Sequence, residues 1–125
     1  MPAITALNID NFSRTLNAPD NEAGVAVIYF SASWCQPCQS MTPVFEKIAA
    51  QTDLAAVVFG TVDMAESPTI AQTYGIKSVP SIAIFRHAQL ATVIAGDMPF
   101  DKAMARVQDA LILGNQGHNP PPERP

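Results

Sequence analysis

The sequence is poor in several residue types, and each shortage narrows what the chain can be. It holds two cysteines, Cys35 and Cys38, and one tryptophan, Trp34, just before them. Two thiols in 125 residues cannot build a disulfide scaffold, so any cysteine chemistry rests on this one pair. Basic residues are few, 7 against 11 acidic ones, for a net charge of −4. Nothing here recommends nucleic acid or an anionic membrane as partner, and the acidic excess reads as ordinary solubility. No window reaches the roughly 18 apolar residues that suggest a membrane span. The start, "MPAITALNIDNFSRTL", lacks the basic segment and apolar core of a secretory leader. The expectation is a soluble, cytoplasmic protein. The 48% of hydrophobic residues suit one compact domain with a single sizeable core.

Apolar periodicity organises what is present. Ile4 to Leu7 alternates as a short edge strand, and Asp10 is placed to cap a helix that buries Phe12 and Leu16. Ala18 to Gly24 reads as a loop. Val25 to Phe30, "VAVIYF", is a continuous apolar run, the pattern of a strand covered on both faces. From Cys35 to about Thr52 the period becomes helical through Met41, Val44, Phe45, Ile48 and Ala49, with Pro43 expected to kink the helix. Ala55 to Asp63 reads as a second buried strand. A short helix follows, with Ser67 as its cap, Pro68 at its first position and Gly75 past its end. Ser81 to Phe85 reads as a third core strand and Leu90 to Ala95 as its hairpin partner. Asp101 to Leu113 should form a last helix with Met104, Val107 and Leu111 inward. The domain thus spans residues 1–113. Residues 114–125, ending "PPPERP", form a proline-rich tail expected to be disordered. Strands alternating with helices indicate an α/β fold, a sheet with helices on both faces.

The cysteine pair admits three chemistries. Structural zinc needs four ligands in most cases, and beyond the thiolates the chain offers His87 and His118, the latter in the tail. A staple three residues long removes little chain entropy, roughly 2 kcal/mol, and a reducing compartment opposes it. A redox couple explains more. At a helix start, residues three apart share a face, so Cys35 and Cys38 can close a disulfide without unwinding the helix. Unpaired N–H groups and the helix dipole favour a thiolate at Cys35, making it the nucleophile. Cys38, a turn further in, becomes the resolving thiol. Pro37 occupies an early helical position where its missing N–H is harmless. The carboxyl end of a buried strand is also where open α/β sheets place their sites.

Together "WCQPC" (Trp34 to Cys38), Pro43, Asp63 closing a strand, "YGIKSVPSIAIF" (Tyr74 to Phe85) and Gly96 after the hairpin resemble the thioredoxin family, over residues 4 to 113. The resemblance implies the thioredoxin fold, a central mixed sheet flanked by helices on both faces. It implies a cis peptide at Val79–Pro80, with Pro80 against the disulfide and Val79 pairing with an extended substrate strand. Ile76 and Gly96 are further candidates for the substrate groove, although Ile76, like Tyr74, reads more as a packing residue than as a binding one, and Trp34 is a candidate for an aromatic flank of the site. Activity is expected to be thiol–disulfide exchange on disulfide-containing target proteins through the Cys35–Cys38 dithiol, with no other cofactor. Regeneration by a thioredoxin reductase drawing on NADPH is implied. The alternatives are a thioredoxin-fold adaptor or chaperone-like binding module, or an oxidase or isomerase.

Several positions depart from the family pattern. Gln36 stands where a glycine is usual, leaving the dithiol intact but adding an exposed side chain. Tyr29 replaces a buried aspartate and Phe59 its neighbouring lysine. Both sites can have been made apolar for packing, and the help that the aspartate gives in deprotonating the resolving thiol can be missing; the two together imply a dithiol still competent, with a slower or differently pH-dependent second step. Ser31 replaces a common tryptophan, and Ala88 the glycine expected in the hairpin turn. His87, beside that turn, reads as a solvated loop residue.

Overall fold

The computed structural model describes residues 4–17, 24–52 and 57–115. Within them, β1 (Ile4–Leu7), β2 (Val25–Ser31), β3 (Val58–Asp63), β4 (Ser81–Arg86) and β5 (Gln89–Ala95) form one sheet in the order β1-β3-β2-β4-β5. β1, β3 and β2 run parallel, and β4 and β5 are antiparallel to their neighbours. The helices are α1 (Phe12–Leu16), α2 (Gln36–Gln51), α3 (Pro68–Thr73) and α4 (Phe100–Asn115). No described helix is long and apolar enough to cross a membrane.

The apolar run of β2 becomes two cores because successive side chains leave a strand on opposite faces. Val25, Val27 and Tyr29 meet Met41, Phe45 and Ile48 of α2 and Val107 and Leu111 of α4. Ala26, Ile28 and Phe30 meet Phe12 and Leu16 of α1 and Ile70 and Ala71 of α3. β4 divides the same way, Ile82 and Ile84 against Ala83 and Phe85. Each fully buried aliphatic or aromatic side chain contributes roughly 1.5–3 kcal/mol, so this double-sided strand is the anchor of the fold. Arg86 ties the far end of β4 to α4, donating to the carbonyls of Ala110 at 3.3 Å and Leu111 at 2.9 Å in the helix's last turns.

Several sequence expectations shift. Asp10 does not cap α1. Asn11 holds that position, its Oδ1 accepting from Asn8 N–H at 2.7 Å, while Asn8 Oδ1 accepts from the N–H groups of Asp10 and Asn11. This closed exchange outcompetes a simple cap. β3 starts at Val58, not Ala55; residues 53–56 lie outside the described part, and Val57 is buried but unpaired in the sheet. Ser67 and Pro68 open α3 as expected, although the serine side chain makes no capping bond, and Gly75 follows the helix at φ +69°. α4 begins at Phe100 and continues to Asn115, past the expected end at Leu113. Its inner face is Ala103, Val107 and Leu111, with Met104 only half-buried. Residues 18–23 of the expected loop and 116–125 of the expected tail lie outside the described residues.

The β4–β5 turn keeps its geometry without a glycine. Arg86 pairs with Gln89, so His87 and Ala88 are the two turn residues, at φ +51° and +66°. Two positive φ values are what a type I′ hairpin requires. His87 is exposed, and its N–H donates to the Gly24 carbonyl at 2.6 Å.

Candidate active site

β2 runs out at Ser31, a turn covers Ala32 to Trp34, and α2 begins at Gln36. Cys35 is thus the residue before the helix rather than its first member. Its backbone is extended (φ −91°, ψ 110°), and its Sγ accepts from the Cys38 N–H at 3.2 Å. The sulfur plays the part of an N-cap oxygen, satisfying one of the donors every helix start leaves open. Gln36 and Pro37 occupy the first two helical positions, both exposed, and the proline has no donor to waste there. Cys35 and Cys38 are joined by a disulfide, with Cα atoms 5.4 Å apart, inside the ordinary span for such a bond. Among the described residues no group of three or more His, Cys, Asp or Glu side chains is placed to hold a metal. His87 stands at the β4–β5 turn, and His118 lies outside the described residues.

Cys35 and Cys38 are buried with Ala32, and Met64 and Val79 pack against them. Pro43 stands inside α2 without ending it, though its missing N–H deprives the Gln39 carbonyl of its usual donor. Beneath Cys38 lies Tyr29, 1% exposed, its ring stacked on Phe45 at 5.1 Å, with Phe59 beyond at 6.2 Å from Phe45. Phe59 is therefore core, as apolar replacement implies. Tyr29 is not merely apolar filling. Its hydroxyl lies 3.2 Å from the Cys38 carbonyl oxygen and 3.1 Å from Thr42 Oγ1, which itself donates to that carbonyl at 2.8 Å. Burial pushes the phenol above its ordinary value of 10.0; the Thr42 hydrogen bond opposes this and the Glu46 carboxylate adds to it. Tyr29 is neutral at physiological pH and cannot serve as a base.

An open pocket of about 220 Å³ lies beside the disulfide, lined by Ser31, Cys35, Cys38, Gln39, Thr42 and Asp63 among others. Ser31 and Asp63 are register partners across β2 and β3, which brings the end of β3 to the cysteines. Thr42 and Asp63 stand outside the set of candidate site residues read from sequence. Thr42 was findable, since it lies one helical turn after Cys38 on the same face; Asp63 depended on sheet register.

The Val79–Pro80 peptide is cis, and Val79 packs on the disulfide cluster. The Pro80 carbonyl accepts from the Gly96 N–H at 2.9 Å, and Gly96 holds φ +96°, a region side chains rarely enter. Among the described residues the Val79 backbone has no hydrogen-bond partner. Trp34 is 68% exposed, which excludes core filling. Ile76 is the one groove candidate that the structure moves elsewhere. It is 5% exposed, in the core beneath the sheet with Phe12, Ile70 and Phe85, because its position after α3 turns it toward that apolar face.

Comparison with known proteins agrees with this geometry. The Thioredoxin family model matches residues 3–109. A Streptomyces coelicolor protein provisionally named thioredoxin 2 is 39% identical over 100 residues, covering 79% of this chain and 69% of its own length. Thioredoxin of Chlamydia caviae is 30% identical over 93 residues, covering 74% of this chain and 81% of the relative. The solved structure of Malassezia sympodialis thioredoxin superposes with a TM-score of 0.72 at 32% identity, over 88% of this chain and 93% of that one. With its dithiol closed at the mouth of α2, its cis-proline loop beside it and its sheet in this order, the chain belongs to the thioredoxin family and is a thiol–disulfide oxidoreductase.

Proposed function

We propose that the protein reduces target disulfides with Cys35 as nucleophile and Cys38 as resolving thiol. The observation that carries these roles is the hydrogen bond from the Cys38 N–H to Cys35 Sγ. In the reduced protein this donor and the helix start favour a thiolate at Cys35, while Cys38, 3% exposed, waits beneath. The Cys35 thiolate attacks a target disulfide, forming a mixed disulfide and releasing one target thiolate. Cys38 then attacks Cys35 Sγ, freeing the second target thiol and regenerating the intramolecular bond. The unpartnered backbone of Val79 supports strand-like pairing with an extended target segment beside the disulfide. Trp34 and Gln36 are exposed side chains next to Cys35 in the chain and would select targets.

The dithiol is itself the redox group, so the cycle needs no bound cofactor. A partner reductase of the thioredoxin reductase type would return it to the reduced state, and a reducing compartment such as the cytoplasm suits such a cycle. The test is reduction of an insulin-type disulfide by the reduced protein. Turnover well above the free dithiothreitol background, abolished by Cys35→Ser, is expected; turnover at background would sink the reading. The potential of the couple gives the direction: a value near about −270 mV marks a reductant, and one near about −120 to −180 mV an oxidant or isomerase.

A further inference from the structure

We propose that Asp63 receives the proton of Cys38 during resolution, through water in the pocket that Ser31 leaves open. The proposal rests on the assignment of Cys38 as resolving thiol.

The second step needs Cys38 as a thiolate, yet the sulfur is buried, and among the described residues its packed neighbours are Ala32, Cys35, Met64 and Val79, none of them ionised. Tyr29 on β2 is neutral and spends its hydroxyl on the Cys38 carbonyl and Thr42. Glu46 on α2 acts on Tyr29 and does not line the pocket. Lys47 lies over the Phe100 ring, 4.3 Å from its centre. Glu66 after β3, Lys77 after α3 and Asp97 after β5 are exposed and outside the pocket. Among the described residues Asp63 alone brings a charge into the same cavity as Cys38.

Its position is built rather than incidental. The Asp63 carbonyl accepts from Glu66 N–H at 3.0 Å and Ser67 N–H at 2.8 Å, and Oδ1 accepts from Ala65 N–H at 2.8 Å. Among the described residues the second carboxylate oxygen has no partner. The intervening space, about 220 Å³, accommodates several waters at about 30 Å³ each, and Ser31 and Thr42 supply polar walls for them. A large side chain at residue 31 would close the route.

The Cys38 proton passes along water to the Asp63 carboxylate, and the Cys38 thiolate attacks Cys35 Sγ. The Cys35–Cys38 bond forms as the Cys35–target bond breaks, and the departing target thiolate takes up a proton, from Asp63 or solvent. The cysteine pair is oxidised and the target reduced by the same two electrons.

Stopped-flow reaction of the reduced protein with dithiobis(nitrobenzoate) separates the steps, because each releases one nitrothiobenzoate and only the first depends on reagent concentration. A positioned base contributes roughly 100- to 10,000-fold, and solvent entering the pocket replaces part of that. Asp63→Asn should therefore slow the second release about tenfold at pH 7 and move its pH profile upward. Asp63→Glu should recover most of the rate. Added formate should rescue Asp63→Asn but not the double variant Ser31→Trp, Asp63→Asn. Asp63→Asn keeps an Oδ1 acceptor for Ala65, so the turn survives. A second release at the wild-type rate, or one slowed equally at every pH and unresponsive to formate, would overturn the proposal. The order of the cysteines is tested separately: Cys38→Ser should keep the fast, reagent-dependent release of one equivalent, and Cys35→Ser should lose it. If Cys35→Ser keeps the fast release and Cys38→Ser loses it, the role assignment has failed, whatever Asp63 does.

Discussion

The Tyr29 hydroxyl lies 3.2 Å from the Cys38 carbonyl oxygen, so a buried phenol braces the backbone of the second cysteine where the family pattern has an aspartate. The contact is to the carbonyl, not the sulfur, and Thr42 Oγ1 shares it at 2.8 Å. Tyr29→Phe should therefore cost about 1 kcal/mol of stability, the worth of one buried hydrogen bond, because Thr42 still satisfies the carbonyl. It should leave the pH profile of the resolving step in place. Denaturant unfolding checks the first outcome and the two-phase nitrothiobenzoate release the second. A large pH shift in this variant would mean that the phenol takes part in proton transfer.

The same burial predicts alkaline behaviour. The folded-state value of Tyr29 is raised above 10.0, chiefly by burial, so the folded protein holds this proton where the unfolded chain has lost it. Its contribution is fully present below pH 10 and is lost as the pH rises through the folded value. Absorbance at 295 nm, followed with circular dichroism, should show one phenol ionising late and with loss of structure. Tyr29→Phe should lack that late component and lose less stability above pH 10.

Much of this is legible in the sequence, for physical reasons that differ by element. "VAVIYF" announced a strand covered on both faces, and the structure divides those residues between two cores. Such a run leaves few other ways to hide that much apolar surface. The α1 cap was not legible, because Asp10 and Asn11 are both competent caps and Asn8 decides between them. The orientation of the Tyr29 hydroxyl depends on stacking against Phe45, which sequence spacing does not encode. Asp63 was readable as a strand end, but its place beside Cys38 follows from the Ser31–Asp63 register. Ile76 packs in the core rather than lining the groove, because the turn after α3 aims it inward.

The hairpin turn carries removable strain. Ala88 sits at φ +66°, a left-handed conformation that costs a residue with a Cβ roughly 1–2 kcal/mol. Ala88→Gly should stabilise the fold by about 1 kcal/mol after the extra unfolded-state entropy of glycine is subtracted. For a domain of this size that is a rise of about 3–5 °C in Tm. Calorimetry at neutral pH checks it, and an unchanged or lowered Tm would argue against a positive φ at Ala88.

The hydrogen bond at Cys35 yields a reactivity prediction for the reduced protein. An N–H donated to Sγ at a helix start stabilises the thiolate over the thiol, so the Cys35 midpoint should fall below the ordinary 8.5 or so. Cys38, buried and with no N–H donated to its sulfur among the described residues, should alkylate much more slowly. Iodoacetamide labelling across pH 5–9, read by peptide mass, should find the label on Cys35 with a midpoint below that of an ordinary free thiol. Mutating the helix start bears on the same point. Pro37→Gly should raise that midpoint by loosening the turn that presents the Cys38 N–H, while leaving the far-ultraviolet spectrum unchanged. Labelling that favours Cys38, or a midpoint at the free-thiol value, would reverse the assignment of nucleophile and resolving thiol.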